Sequence, residues 1–164
     1  MSPTIAKTAT VEPSARVYCS AWVAGSAQVY DSAWVDGSAR VYGSARVYGS
    51  AQVAGSARVY GSARVAGSAQ VYGEGRVASN NDIAWVDRVG FGNSMTLHRV
   101  TDGWRINAGC RSWESPTADE VCDLVYANVA DGPEEWAGED DATRAKWATQ
   151  ATAALTFLLA SVTP

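Results

Sequence analysis

Valine or isoleucine stands at every sixth position from Ile5 to Ile83, fourteen times without a slip. The series runs Ile5, Val11, Val17, Val23, Val29, Val35, Val41, Val47, Val53, Val59, Val65, Val71, Val77 and Ile83. Alanine precedes these residues by two positions from Ala9 to Ala69, and Gly75 takes that place once. Residues two apart point to the same side of a strand, so Ala and Val share an inner face. The residue between them (Arg, Gln or Trp) and the residue after Val point outward. Gly-Ser then ends most strands, because glycine accepts the dihedrals of a corner. A helix does not fit this spacing. Glycine at every sixth residue would cost it about 1 kcal/mol each time. A short fixed period of this kind predicts a solenoid, in which each unit is stabilised by its neighbours.

These hexads resemble the hexapeptide-repeat, left-handed parallel β-helix family over residues 4–83, half the chain. The resemblance implies three hexads per triangular coil, with an aliphatic residue filling the interior of each face. Fourteen hexads then make about 4.7 coils, a prism roughly 20–25 Å tall with strands about 4.8 Å apart. The expected fold is mainly β: a left-handed triangular β-helix over residues 1–82 and a small α+β domain over residues 83–164. Both ends of such a prism present unpaired backbone and need covers. The second domain is placed to cover the C-terminal end.

After Asn80-Asn81 the period changes. Residues 83–89 read as a strand, and Gly90-Phe91-Gly92-Asn93-Ser94 as a turn. Residues 95–100 and 104–109 read as a hairpin about Thr101-Asp102-Gly103, since Asp-Gly favours tight turns. With Asp102 and Gly103 as the turn residues, Met95, Leu97, Ile106, Ala108 and Cys110 share an apolar face. Cys110 then pairs with Met95 or nearby. His98, Arg105 and Asn107 fall on the other face. Ser115-Pro-Thr-Ala-Asp-Glu opens a helix with a hydroxyl cap and acids in its first turn, running to about Ala130. Residues 131–138 read as a polar loop. A second helix is expected from about Asp140 to Ala160, with Trp147, Ala151, Ala154, Leu155, Leu158 and Leu159 at helical spacing. Thr96-Leu97-His98-Arg99-Val100-Thr101-Asp102-Gly103, Gly109-Cys110 and Asp119-Glu120 resemble the C-terminal domain of hexapeptide-repeat proteins encoded by bacteriophages and prophages. The order of the first two residues is reversed here, and the segment after Gly-Cys is longer. The resemblance suggests an origin and carries no activity with it.

An eighteen-residue coil sorts the outward positions into three faces. The first carries Trp22, Arg40, Arg58 and Arg76 before the core valine, and Ala24, Tyr42, Tyr60 and Ala78 after it. The second has Thr10, Gln28, Arg46, Arg64 with Glu12, Tyr30, Tyr48, Ala66, and the third Arg16, Trp34, Gln52, Gln70 with Tyr18, Asp36, Ala54, Tyr72. No acid stands among the first-face positions. Arginines stacked about 5 Å apart repel one another unless an anion or carboxylate answers them. Tyr and Arg are also enriched where proteins meet. Trp22, Arg40, Tyr42, Arg58, Tyr60 and Arg76 are therefore the candidate binding residues. A solvated strand surface is the competing reading of the same positions.

Charge and chemistry narrow the picture further. Net charge is −4. Residues 1–80 carry seven basic and four acidic side chains, and residues 81–164 carry six basic and thirteen acidic. The chain is thus polarised, +3 against −7. Net acidity argues against a general nucleic-acid binder. The best-known hexapeptide-repeat proteins are acyltransferases, which need a basic histidine, and γ-class carbonic anhydrases, which need several histidines on zinc. This chain has one histidine, His98, outside the repeats. No catalytic residue, metal ligand or cofactor is expected. Cys19, Cys110 and Cys122 lack zinc spacing, and a Cys110–Cys122 bridge is not expected of reduced intracellular thiols. No signal-peptide pattern and no span long enough for a bilayer is read. The expectation is a non-enzymatic, phage-type assembly protein in the infected cytoplasm or the virion. It would be a homo-oligomer, trimer before dimer, that binds a host protein or a small anionic ligand. A capsid decoration protein and an acyltransferase are the alternatives.

Overall fold

The computed structural model describes residues 2–89, 93–109, 111–130 and 140–162. Of the expected turn at residues 90–94, residues 90–92 lie outside them, as do Cys110 and the loop 131–138, while Asn93 and Ser94 begin a strand instead. Strands β1 (Thr4–Ile5), β2 (Thr10–Val11) and β3 (Arg16–Val17) continue at six-residue steps to β13 (Arg76–Val77). They form three parallel sheets of five, four and four strands, each joining strands eighteen residues apart. These sheets are the three faces read from the sequence, with Trp22, Arg40, Arg58 and Arg76 in register on the first.

The interior is the expected Ala and Val ladder. From Ala21 to Val71 every inner Ala and Val has 0 % exposure. Each corner stacks on the next, so the corner positions have almost no room. A methyl on Gly43, at φ 73°, would lie 3.0 Å from the Gly61 amide nitrogen. Cys19 and Asp31 hold the same left-handed conformation without glycine, at φ 55° and 57°. Asp31 Oδ2 accepts the Gly49 N–H at 3.1 Å in return.

The coil count differs from the expectation. Thirteen strands give a little over four turns, because the fourteenth hexad leaves the prism. Ser79 caps a single 3₁₀ turn, Asn80–Asp82, and Asp82 returns a carboxylate to the Ser79 N–H at 2.9 Å. That box swings the chain out of its coil. Ile83 still packs on the solenoid core, but it begins a different sheet.

That sheet is antiparallel, in the order β14 (Ile83–Val89), β15 (Asn93–Val100), β16 (Gly103–Ala108) and β17 (Arg111–Ser115). Helices α1 (Ala118–Ala130) and α2 (Asp141–Val162) follow. The hairpin register corrects one expectation. Val100 pairs with Gly103, so Thr101 and Asp102 are the turn residues, and Met95 pairs with Ala108 rather than Cys110. Gly103 is needed for a different reason: a side chain there would strike the Ser115 carbonyl. The slip is two residues in total, so the assignment of side chains to faces survives it.

The two faces of this sheet serve two cores. Ala84, Met95, Leu97, Trp104 and Ile106 pack against Val121, Val125, Ala154, Leu155 and Leu158 of the helices. Ile83 and Trp85 look the other way and join the solenoid core. Thr117 caps α1 by accepting the Glu120 N–H, and Asp140 caps α2 by accepting the Thr143 N–H at 2.7 Å. The helices then expose the apolar spacings read from the sequence to the sheet, at positions 151, 154, 155 and 158.

Candidate interaction surface

The first face is a double column. Parallel register stacks Arg40, Arg58 and Arg76 directly above one another. Beside them the Tyr42 and Tyr60 rings stack with centroids 5.2 Å apart and planes 9° apart. Trp22 continues the ring column, 6.0 Å from Tyr42, and the Arg40 guanidinium lies 5.9 Å from the Trp22 ring. All three arginines and Trp22 are exposed, while the tyrosines are half-buried by one another. The structure therefore brings all six sequence-read residues onto one sheet. Among the described residues, none of these arginines forms an ion pair. Arg76 is the one held in place: its Nε donates to Thr101 Oγ1 at 3.1 Å, and that hydroxyl donates to Glu74 at 3.1 Å. A small cleft of about 160 Å³ lies between Ser56, Arg58, Glu74, Arg76 and Thr101, at the foot of the column.

The other faces carry aromatic pairs without an arginine column of this length. Tyr30 and Tyr48 stack at 5.0 Å on the second face, and Tyr18 meets Trp34 edge-on at 6.2 Å on the third. On the third face Tyr72 donates its hydroxyl to Gln52 Oε1.

His98 lies elsewhere, at the junction of solenoid and cap, with 0 % exposure. Its Nδ1 faces the Arg99 carbonyl at 3.0 Å, and its Nε2 faces Asn107 Nδ2 at 3.1 Å. A carbonyl can only accept, so Nδ1 carries the proton and Nε2 accepts from the amide. Burial pulls the imidazole pKa down to about 4, against a smaller opposing effect of the Arg99 carbonyl bond. A neutral ring with both nitrogens engaged fits a structural role. Strand alternation puts His98 and Asn107 on one face and by itself names no partner for the histidine. The structure supplies the partner, Asn107 itself.

What sequence reading missed is the purpose of that polar face. The last coil leaves backbone N–H groups with no coil beyond them. The Arg64 N–H donates to Asn80 Oδ1 at 3.1 Å, that of Gln70 to Thr96 Oγ1 at 3.0 Å, and that of Ala78 to Asp82 Oδ2 at 3.0 Å. The Gln70 carbonyl accepts from Asn107 Nδ2 at 2.9 Å. One signal could have found this: Gly75 breaks the alanine series where the end cap meets the last coil.

Cys19 is exposed, and Cys122 is buried in the cap. The Asp36 carboxylate, hydrogen-bonded to the Cys19 thiol, raises its pKa, and burial pushes Cys122 up to about 11. Neither is an activated nucleophile. Among the described residues there is no group of three or more His, Cys, Asp and Glu able to hold a metal, and no helix is long and apolar enough to cross a membrane. An apolar groove of about 460 Å³ runs between Trp85, Val86 and Val89 of β14 and Ala153, Ala154 and Phe157 of α2. Comparison of the chain with protein families, with curated proteins and with solved structures finds no match.

Proposed function

We propose that the protein is a non-catalytic assembly scaffold that binds through the first face of its solenoid, either to neighbouring copies or to a partner that presents anionic groups. The observation that carries this reading is the register of Arg40, Arg58 and Arg76 beside the ring column of Trp22, Tyr42 and Tyr60. A flat sheet holds these side chains at a fixed spacing of about 4.8 Å, so a partner meets a preordered surface. The stacked guanidinium groups favour an occupant with carboxylates or phosphates, which relieves their mutual repulsion. The cap is rich in acids, so a neighbouring copy could supply carboxylates. The placement of the one histidine, neutral and sealed behind the cap, supports a scaffold over an acyltransferase. The hairpin's resemblance to phage-encoded proteins supports a phage setting.

A homo-oligomer is the expected form, trimer before dimer, with Arg40, Tyr42, Arg58 and Tyr60 covered at the contact or facing a bound anion. Light scattering on the parent and on Tyr42→Ser/Tyr60→Ser is the direct test. Loss of lateral assembly in the variant is the expected result. A variant that assembles and binds as the parent does would leave the face a solvated surface.

A further inference from the structure

The two ends of the solenoid are not alike. At the C-terminal end the cap sheet and the turn at Asn80–Asp82 meet the last coil. At the N-terminal end the first coil is bare among the described residues. Ile5 is 46 % exposed, whereas every inner valine from Val23 to Val71 is at 0 %. Val11 and Val17 are only half-buried. Among the described residues, four of the six exposed large hydrophobic residues, Ile5, Tyr18, Trp22 and Trp34, lie in the first two coils.

The backbone at this end has a definite polarity. Thr4, Ala6, Thr10, Glu12, Arg16 and Tyr18 all donate their N–H groups to the second coil, at 2.8–2.9 Å. Backbone groups of successive strand residues point to opposite neighbours. The N–H and C=O of Ile5, Val11 and Val17 therefore point outward together. A residue that offers both groups on one side is half of a hydrogen-bonded antiparallel pair.

We propose that this end is the interface with a second copy of the chain, joined head to head about a two-fold axis that passes through the first face. Three two-fold axes can set one triangle on another, one through each face. Each pairs one edge strand with itself and exchanges the other two. The axis through the first face pairs Ile5 with its own mate and sets Val11 against Val17 of the other copy. Antiparallel register then places Glu12 opposite Arg16 and Thr10 opposite Tyr18, each twice. The axis through the second face sets Ala6 against Arg16 and Thr10 against Glu12. The axis through the third face sets Arg16 against Tyr18 and Thr4 against Glu12. Only the first axis pairs opposite charges. Glu12 and Arg16 are both exposed, and neither has an ion-pair partner among the described residues.

In this arrangement Ile5, Val11 and Val17 continue the inner ladder from one prism into the other. The outward-pointing N–H and C=O groups of Ile5, Val11 and Val17 in each copy find partners. The flanking pairs are of the non-hydrogen-bonded kind, in which side chains stand closest, so Glu12 and Arg16 meet at short range. The same axis closes with the lateral assembly proposed above. A trimer that turns its first faces to a three-fold axis is crossed by this two-fold, and two such rings stack as a closed hexamer.

The test is a charge exchange in the full chain, read by sedimentation equilibrium, with circular dichroism to verify the fold. Glu12→Arg and Arg16→Glu alone are each expected to weaken the end-to-end step by about tenfold or more, since each sets like charges opposite twice. Glu12→Arg/Arg16→Glu together should recover the parent to within about threefold. Tyr42→Ser/Tyr60→Ser should leave the end-to-end step intact, which separates it from the lateral one. A parent with no end-to-end step at high micromolar concentration would overturn the proposal. So would folded single variants that pair like the parent, or a double exchange without recovery.

Discussion

Thr96 and Asn107 stand opposite each other across β15 and β16, and between them they take up both backbone groups of Gln70. In the coil before, Gln52 donates its N–H to the Ala69 carbonyl at 2.9 Å. The cap hairpin replaces that missing next coil with one side-chain acceptor and one side-chain donor. The solenoid thus ends without leaving that buried strand edge unpaired, which is the general difficulty of sheet edges.

Thr96→Val and Asn107→Leu test this. Both side chains are buried, at 0 % and 3 % exposure. Each change strands one backbone group away from water and should cost about 1–3 kcal/mol. Urea unfolding of the two variants measures it. Variants as stable as the parent would mean that water replaces the cap.

Acid should loosen the junction through His98. The folded imidazole titrates at about 4, below its ordinary value of 6.5. The unfolded chain therefore binds the proton first as pH falls. The histidine's contribution is whole above pH 6.5 and is lost between 6.5 and about 4, roughly 3 kcal/mol in total. His98→Gln removes that proton linkage. Denaturation midpoints of parent and variant across this range should diverge in slope. Parallel slopes would place the pH response in the carboxylates alone.

Gly75 is glycine for want of room, not for its backbone angles. A methyl there would lie 3.2 Å from His98 Cε1 and Nδ1 and closer still to a Val71 methyl. Gly75→Ala should cost about 1–3 kcal/mol by overpacking. In a His98→Ala background the penalty should shrink by at least about 0.5 kcal/mol, since the imidazole is one of the two obstacles. A double-mutant cycle on denaturation midpoints reads the coupling, and its absence would assign the whole clash to Val71.

Thiol labelling with peptide mapping should sort Cys19 from Cys122. Cys19 lies exposed on a corner and should react in the native protein, slowed by the Asp36 carboxylate that raises its pKa. Replacing Asp36 with Asn should speed that labelling. Cys122 is 1 % exposed, with a pKa pushed up to about 11, and should react only on unfolding. Native labelling of Cys122 at the rate of Cys19 would show that the cap opens readily.

The solenoid was legible because its information is local and repeated. Each hexad carries its own inner pair, outer pair and corner, and an eighteen-residue coil assigns Arg40, Arg58 and Arg76 to one face by arithmetic alone. The stacking of Tyr42 on Tyr60 follows from that register. The second helix was legible for the same reason, from the spacing of Ala151, Ala154, Leu155 and Leu158. The first was legible from a hydroxyl followed by acids; the structure makes Thr117 its cap, and Asp140 the cap of the second. The hairpin turn was misplaced because Asp102-Gly103 reads as a turn in isolation. Tertiary packing required a glycine at 103 to let the end of β17 pass, and Thr101-Asp102 made the turn instead.

By itself the sequence determined the parallel solenoid, its three faces and the two-sided character of the cap sheet, because a period of six or two fixes side-chain direction without reference to distant residues. Only the tertiary structure decided what the polar side of that sheet is for. Gln70 and Asn107 are thirty-seven residues apart, and no period links them. Their bond exists because the prism ends there, and an end is a property of the folded stack rather than of any one hexad. The tertiary structure likewise leaves Ile5 exposed and Val11 and Val17 half-buried among the described residues at the opposite end, although each belongs to the same ladder as the valines buried behind them. Burial depends on what lies beyond a coil, and the repeat describes only the coil itself.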